Sequence, residues 1–115
     1  DGDAAGRKAA WRALEASLKA LGTDWIDVYI VHCQDALTPL DETLRALDDV
    51  VRSGKVRYLG FSNWSAWKAS AALERQEANG WARFTHGQMS YSLLTRDVEY
   101  DVVPLMQEYQ VGLTT

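Results

Sequence analysis

The sequence of 115 residues predicts an α/β fold in which about four parallel strands alternate with helices. Apolar stripes with helical spacing alternate with short runs of β-branched and aromatic residues, in the order αβαβαβαβ. No low-complexity linker breaks this order, so residues 1–115 are expected to form a single domain. Strands joined by helices run parallel through right-handed crossovers, either in an open doubly wound sheet or in part of a closed barrel.

The first helix and the first strand are predicted over residues 4–21 and 25–32. The helix carries one apolar stripe, made of Trp11, Leu14, Leu18 and Leu21. Gly22 then offers the left-handed conformation in which many helices end. The strand segment is almost continuously hydrophobic, which is typical of a parallel strand covered on both faces.

The second helix is predicted to begin at Thr38 and Pro39 and to end at Gly54. A hydroxyl at the cap and Pro in the first turn both favour a helix start. The apolar stripe that follows consists of Leu40, Leu44, Leu47 and Val51, whereas the acidic Glu42, Asp48 and Asp49 are expected to be solvated. Residues 56–62 are predicted to form the second strand.

The third helix is predicted to run from a Ser65 cap to residues 79–80, where Asn and Gly favour its end. Its apolar face is expected to carry Trp67, Ala71 and Leu73. The third strand is predicted to cover about residues 83–88.

The fourth helix is predicted to begin near Asp97 and to present apolar Val98, Val102, Leu105 and Tyr109. Pro104 lies in this stretch, and Pro inside a helix loses a hydrogen bond and clashes with the preceding turn. The helix therefore either kinks at Pro104 or starts late enough to hold it in the first turn. Residues 111–114 are predicted to form the fourth strand.

The composition favours small-molecule chemistry over nucleic acid or membrane partners. Twelve basic residues against 16 acidic ones give a net charge of −4, and no basic cluster stands out. No apolar run approaches the roughly 20 residues that span a bilayer, and no signal pattern opens the chain, so we expect a soluble, cytoplasmic protein. Cys33 is the only cysteine, which excludes an internal disulfide and a Cys-based zinc cage; no metal site is expected.

Polar residues follow three of the predicted strands, at the ends where parallel α/β folds carry function. His32 follows the first strand, Ser62 and Asn63 follow the second, and Gln88 follows the third. A hydroxyl and two amides can hold an amide-bearing ligand, and a neutral imidazole can donate a hydrogen bond to a carbonyl oxygen. The alternative reading is structural: a half-buried His bonded to a backbone carbonyl, and Ser62 and Asn63 as cap and turn residues.

Other reactive side chains are weaker candidates. Tyr29 has the opposite strand parity to His32 and is expected to point toward the helices. Cys33 adjoins His32, but neighbours on a strand point to opposite faces, so the two are not expected to form a nucleophile–base pair. His86 lies two residues before Gln88 and is expected to be structural or merely exposed.

Four segments at their observed spacing resemble the aldo-keto reductases. They are LKALGTDWIDVYIVH at residues 18–32, TPLDETL at 38–44, SGKVRYLGFSNWS at 53–65 and QMSYSLL at 88–94. Members of that family fold as (β/α)8 barrels and reduce aldehydes and ketones with NADPH. The resemblance implies that the chain is a partial, half TIM-type (β/α)8 barrel, from the third helix to the start of the seventh strand.

The resemblance also implies roles for single residues. His32 matches the active-site histidine that orients and polarises the substrate carbonyl, and Ser62, Asn63 and Gln88 match the residues that bind the nicotinamide carboxamide. The family's general-acid tyrosine, with its lysine and aspartate, precedes the segment matched here. The resemblance therefore implies a truncated segment of an NADPH-dependent carbonyl reductase, inactive by itself and with most NADPH contacts missing.

Four strands of an eight-stranded barrel leave two unpaired edges and an apolar inner face open to water. We therefore expect a homodimer whose copies cover these open barrel edges, or closure of the strands into a smaller sandwich. The alternative to a reductase segment is a noncatalytic oligomeric half-barrel module for assembly or ligand binding.

Overall fold

The computed structural model describes residues 6–32 and 36–115. The helices and strands follow one another as α1 Arg7–Leu21, β1 Ile26–Val31, α2 Leu40–Arg52, β2 Val56–Ser62, α3 Ala66–Asn79, β3 Phe84–Gln88, a 3-10 turn Asp97–Glu99, α4 Val102–Glu108 and β4 Gly112–Thr114. The strands form one parallel sheet in the order β1-β2-β3-β4. The predicted α/β alternation is confirmed, and the sequential strand order is that of a partial (β/α) barrel, since a doubly wound sheet reverses its order.

The two faces of the sheet differ sharply in what covers them. Leu59 and Phe61 of β2 point toward the helices and are buried, and Tyr29 and Val31, their partners on β1, pack against the same core. The opposite face, which we call the open face, carries Tyr58 at 51% exposure. It also carries Val28, Gly60, Ser62, His86 and Gln88, as strand parity and pairing show.

The prediction that the first strand is covered on both faces is wrong. Val28 is 40% exposed, whereas Tyr29 and Val31 on the other face pack against the core together with Ile26 at the start of the strand. β1 lies at an edge of the sheet, and among the described elements no helix covers Val28. A continuous apolar run therefore does not distinguish a strand buried on both faces from a barrel strand whose inner face is open.

An aromatic cluster holds the helix side of the sheet together. Phe61 and Phe84 meet edge to face with centroids 5.5 Å apart, and Trp64 lies 5.4 Å from Phe84 and 6.0 Å from Phe61. All three side chains are at most 3% exposed. All four helices also contribute core residues, which include Leu14, Leu44, Leu47, Leu73 and Met106.

The observed helix ends match the predicted ends more closely than the observed helix starts match the predicted starts. Gly22 and Gly80 adopt left-handed conformations, with φ of 69° and 66°, as predicted for α1 and α3. Pro39, not Thr38, occupies the cap position of α2, whereas Ser65 occupies the predicted cap position of α3 without a side-chain capping hydrogen bond. The predicted start of α1 at residue 4 lies outside the described residues.

Three further predictions meet clear outcomes. Trp67 is 71% exposed and does not belong to the core face of α3, which is formed by Ala69, Ala72, Leu73 and Gln76. Pro104 lies in the first turn of α4, so the helix starts late and does not kink. Asp48 is not solvated but buried, at 6% exposure.

No helix in the described ranges combines the length and the apolar character needed to cross a membrane.

Candidate functional site

A β-bulge in β3 decides which side chains reach the open face. Phe84 pairs with Leu59, but the next pair is His86 with Gly60, so Thr85 is an extra residue in β3. The Thr85 hydroxyl donates to the backbone carbonyl of Leu59 at 3.3 Å. Because one residue is inserted, Phe84 enters the helix-side core while His86 and Gln88 lie on the open face.

The predicted site residues lie at the carboxyl ends of neighbouring strands. Ser62 pairs with Gln88, and Gln88 pairs with Thr114 on β4. His32 comes one residue after the last β1–β2 pair, Val31 with Phe61, which brings it level with Ser62. Neighbouring parallel strands lie about 4.8 Å apart, so three strands present polar groups along one short edge. The structure thus brings the four residues together, and their chemical roles remain predictions.

These residues differ in how firmly they are held. Ser62 is 3% exposed, whereas Gln88 and His32 are exposed. Exposure of His32 does not match the alternative reading of a half-buried structural histidine. Asn63 has a positive φ of 55°, a left-handed conformation that Asn adopts more readily than most residues. Buried Ser62 and Trp64 flank it, so its backbone is fixed on both sides.

His86 lies against Gly60 on the open face. If residue 60 had a Cβ, three ring atoms of His86 would lie within 2.8 Å of it, so the imidazole occupies the space that the glycine leaves. Gly112 pairs with His86 from the other side. Burial against the sheet lowers the pKa of His86. This packing is compatible with the predicted structural role of His86, although the contact with Gly60 itself was not predicted.

Gly60→Ala is expected to push the His86 ring away from β2. The ring then becomes more exposed to solvent, so the pKa of His86 should rise toward its ordinary value. A titration of the imidazole Cε1 proton by NMR measures this change. Gly22→Ala is the control, because the space around its Cβ position is empty and the pKa of His86 should stay unchanged. A His86 pKa equal in wild type and Gly60→Ala would contradict the contact.

A cluster that the sequence analysis did not find orders the loop after β3. The Tyr91 hydroxyl donates to Glu99 Oε1, and Arg96 donates to the same oxygen from Nε at 2.8 Å. The hydrogen bond with Glu99 raises the pKa of Tyr91, and the bonds from Arg96 and Tyr91 lower that of Glu99. A cavity of about 290 Å³ adjoins this cluster and is lined by Tyr91, Ser92, Leu93, Arg96 and Thr115. The three-residue spacing of Arg96 and Glu99 in the sequence is the pattern from which their ion pair could have been predicted.

The remaining candidates do not join the site. Tyr29 packs toward the helices as predicted, and burial raises its pKa. The prediction about Cys33 lies outside the described residues. Within residues 6–32 and 36–115, no group of three His, Cys, Asp or Glu side chains could hold a metal ion.

A sequentially ordered parallel sheet with polar residues gathered at its carboxyl ends is the arrangement of a (β/α)-barrel enzyme. Comparison with known proteins identifies which class of these enzymes the chain represents. The sequence model of the aldo/keto reductase family matches residues 3–115. The chain belongs to the aldo/keto reductase family.

Its relatives are much longer than the chain. An aldo-keto reductase of Fusarium vanettenii is 38% identical over 107 residues, which cover 93% of this chain and 29% of the relative. The versiconal hemiacetal acetate reductase of Aspergillus parasiticus is 38% identical over 93% of the chain and 31% of its own length. An aryl-alcohol dehydrogenase of Pestalotiopsis microspora is 38% identical over 94% of the chain and 28% of its own length. The chain thus spans about a third or less of these relatives.

Proposed function

We propose that this segment supplies part of the cofactor and carbonyl site of an NADPH-dependent aldehyde or ketone reductase. The observation that carries the proposal is the pairing of Ser62 with Gln88 at the carboxyl edge of the sheet, with Asn63 and His32 next to them. Bound NADPH would supply a hydride to the carbonyl carbon. The names of the relatives, an aryl-alcohol dehydrogenase and a hemiacetal acetate reductase among them, support redox chemistry between alcohols and carbonyls.

The donor set suits a nicotinamide carboxamide. A carboxamide has one acceptor oxygen and two N–H donors, and the amides of Asn63 and Gln88 each offer both a donor and an acceptor. The Ser62 hydroxyl can donate or accept, and because it is buried, a bond that it makes is protected from water. His32 as a neutral imidazole can donate a hydrogen bond to the substrate carbonyl oxygen and so polarise it.

We propose further that these 115 residues alone do not turn over substrate. The tyrosine general acid of the family and the lysine and aspartate that assist it have no match in this segment. Loss of the proton donor alone costs about 10²–10⁴-fold in rate. The segment on its own is therefore proposed to retain part of the nicotinamide site and none of the proton-transfer chemistry.

A cofactor titration tests the binding part of the proposal. Asn63→Gly removes the amide but keeps the positive φ accessible, so it should weaken NADPH binding about fivefold or more, the worth of one hydrogen bond. Gln110→Gly is the matched control, because Gln110 also has a φ of 55° but lies before β4, away from the carboxyl edge. Quenching of the five tryptophans reports binding.

Two outcomes would contradict the proposal. A titration with no saturable signal in the wild-type chain would contradict the proposal that the segment binds NADPH. Sustained NADPH consumption with a panel of aldehydes, abolished in His32→Ala, would show that the segment is competent for turnover without the missing tyrosine.

A second candidate is a noncatalytic module that assembles through its open face. Exposed Val28 and Tyr58 on this face, and the free edges of β1 and β4, favour it. For the isolated chain we propose a homodimer in which the two open faces bury each other. Sedimentation equilibrium should give twice the 12.9 kDa mass for wild type and a monomer for Tyr58→Lys, with Trp67→Lys on the helix side as the control. A wild-type monomer at all concentrations would contradict it.

A further inference from the structure

The open face carries a second imidazole directly below the proposed carboxamide site. His86 and Gly60 form one cross-strand pair, and Gln88 and Ser62 form the pair two residues further along. Two residues of a strand extend about 6.6 Å, so a group held by Ser62 and Gln88 lies within about 10 Å of the His86 ring. This distance is comparable with the screening length of about 8 Å at physiological salt, so a repulsion between two charges is weakened there but not abolished.

We propose that His86 discriminates between the two oxidation states of the nicotinamide, by repelling the oxidised ring when the imidazole is protonated. The inference rests on the proposed function, since it requires that Ser62, Asn63 and Gln88 hold the carboxamide. The oxidised nicotinamide ring carries a positive charge and the reduced ring is neutral. A positive charge on His86 therefore acts on one form only.

Three features of the structure support this role. The bulge at Thr85 is what turns His86 to the open face, away from the core that Phe84 enters. The ring fits against Gly60, where any other residue would displace it. Its partly desolvated position strengthens interactions between charges and lowers its pKa, so it is mainly neutral at neutral pH and becomes charged on acidification.

The other titratable groups on this face are few in the described part of the chain. β2 contributes Tyr58, two residues before Gly60, and the segment after β1 contributes His32. β4 contributes Gly112 and Thr114, which do not titrate. His32 is the second histidine near this face, so the test must separate its effect from that of His86.

The test compares NADP⁺ with NADPH over a pH series from about 8 into the acid range, because the lowered pKa of His86 moves its protonation below that of an ordinary histidine. The ratio of the two dissociation constants is the quantity of interest, because protonation of the shared phosphates cancels in it. In wild type, the affinity for NADP⁺ should fall about five- to tenfold relative to the affinity for NADPH on acidification. This is the effect expected from Coulomb repulsion at this distance. His86→Asn should abolish the change, and His32→Asn should retain it.

An NMR titration gives an independent readout without any activity. By linkage, NADP⁺ should lower the pKa of the His86 imidazole by up to about one pH unit, while NADPH should not. The His32→Asn variant assigns the two histidine signals. Saturable binding with the same pH dependence in wild type and His86→Asn would overturn this inference alone. Absence of saturable binding by either cofactor would overturn the proposed function and this inference with it.

Discussion

Phe84→Ala is expected to remove a large part of the chain's free energy of unfolding. Phe84 is fully buried and meets both Phe61 and Trp64 with ring centroids about 5.5 Å away. Truncation of a buried phenylalanine costs about 3–5 kcal/mol, because the transfer energy is lost and a cavity remains. Small domains are stable by only about 5–15 kcal/mol, and a sheet with one open face has less apolar burial to draw on.

Urea unfolding followed by far-UV circular dichroism measures this loss. Trp67→Ala is the matched control, since Trp67 is also a large aromatic residue but is 71% exposed. It should change the free energy of unfolding by less than about 0.5 kcal/mol, as surface substitutions usually do. Equal losses in the two variants would show that the aromatic cluster does not hold β3 to the helices.

Phe84 also shows why the sequence predicts the elements better than it predicts their faces. Strand β2 was predicted with its observed bounds, and β3 within one residue, because hydrophobic runs and glycines mark element ends. Simple alternation would place Phe84, His86 and Gln88 on one face of β3. The bulge at Thr85 separates Phe84 from the other two, and a bulge depends on pairing with a distant strand that the local sequence does not encode.

The candidate site was predictable because the strand topology alone brings its residues to the same edge of the sheet. His32, Ser62 and Gln88 follow successive parallel strands, and parallel strands end on the same side of a sheet whatever the details of packing. The place of His86 on this face was not predicted because it depends on the bulge at Thr85 and on the space that Gly60 leaves for the ring. The Tyr91–Glu99–Arg96 cluster was missed because it forms across a loop that no periodic pattern describes.

Asp48→Ala is expected to destabilise the chain by about 1–3 kcal/mol, because a half-buried backbone donor loses its charged partner. Asp48 Oδ1 accepts from the backbone N–H of Ala82 at 2.8 Å, and Oδ2 accepts from Arg52 Nε at 2.6 Å. Arg52 is largely exposed and regains water when the carboxylate is removed. The loss therefore falls mainly on the N–H of Ala82, which is half-buried and less accessible to water than the Arg52 side chain.

The neighbouring acid provides the control. Asp49 pairs with Arg7 at 3.5 Å in an exposed ion pair, so Asp49→Ala should cost less than about 1 kcal/mol. Asp48→Asn keeps an acceptor for Ala82 and should recover most of the loss. Equal denaturation midpoints for Asp48→Ala and Asp49→Ala would show that burial of this carboxylate contributes nothing.

The consequence of losing Asp48 should extend to the site. Asp48 of α2 holds Ala82, and Gln76 of α3 accepts from the backbone N–H of Phe84 at 3.0 Å, so two helices fix the entrance of β3. The bulge follows directly, and it sets which face His86 and Gln88 reach. Hydrogen exchange in Asp48→Ala should therefore show protection lost first along β3, while the β1–β2 pairing keeps its protection longer. A uniform loss across the sheet would mean that Asp48 stabilises the whole fold and does not anchor this strand in particular.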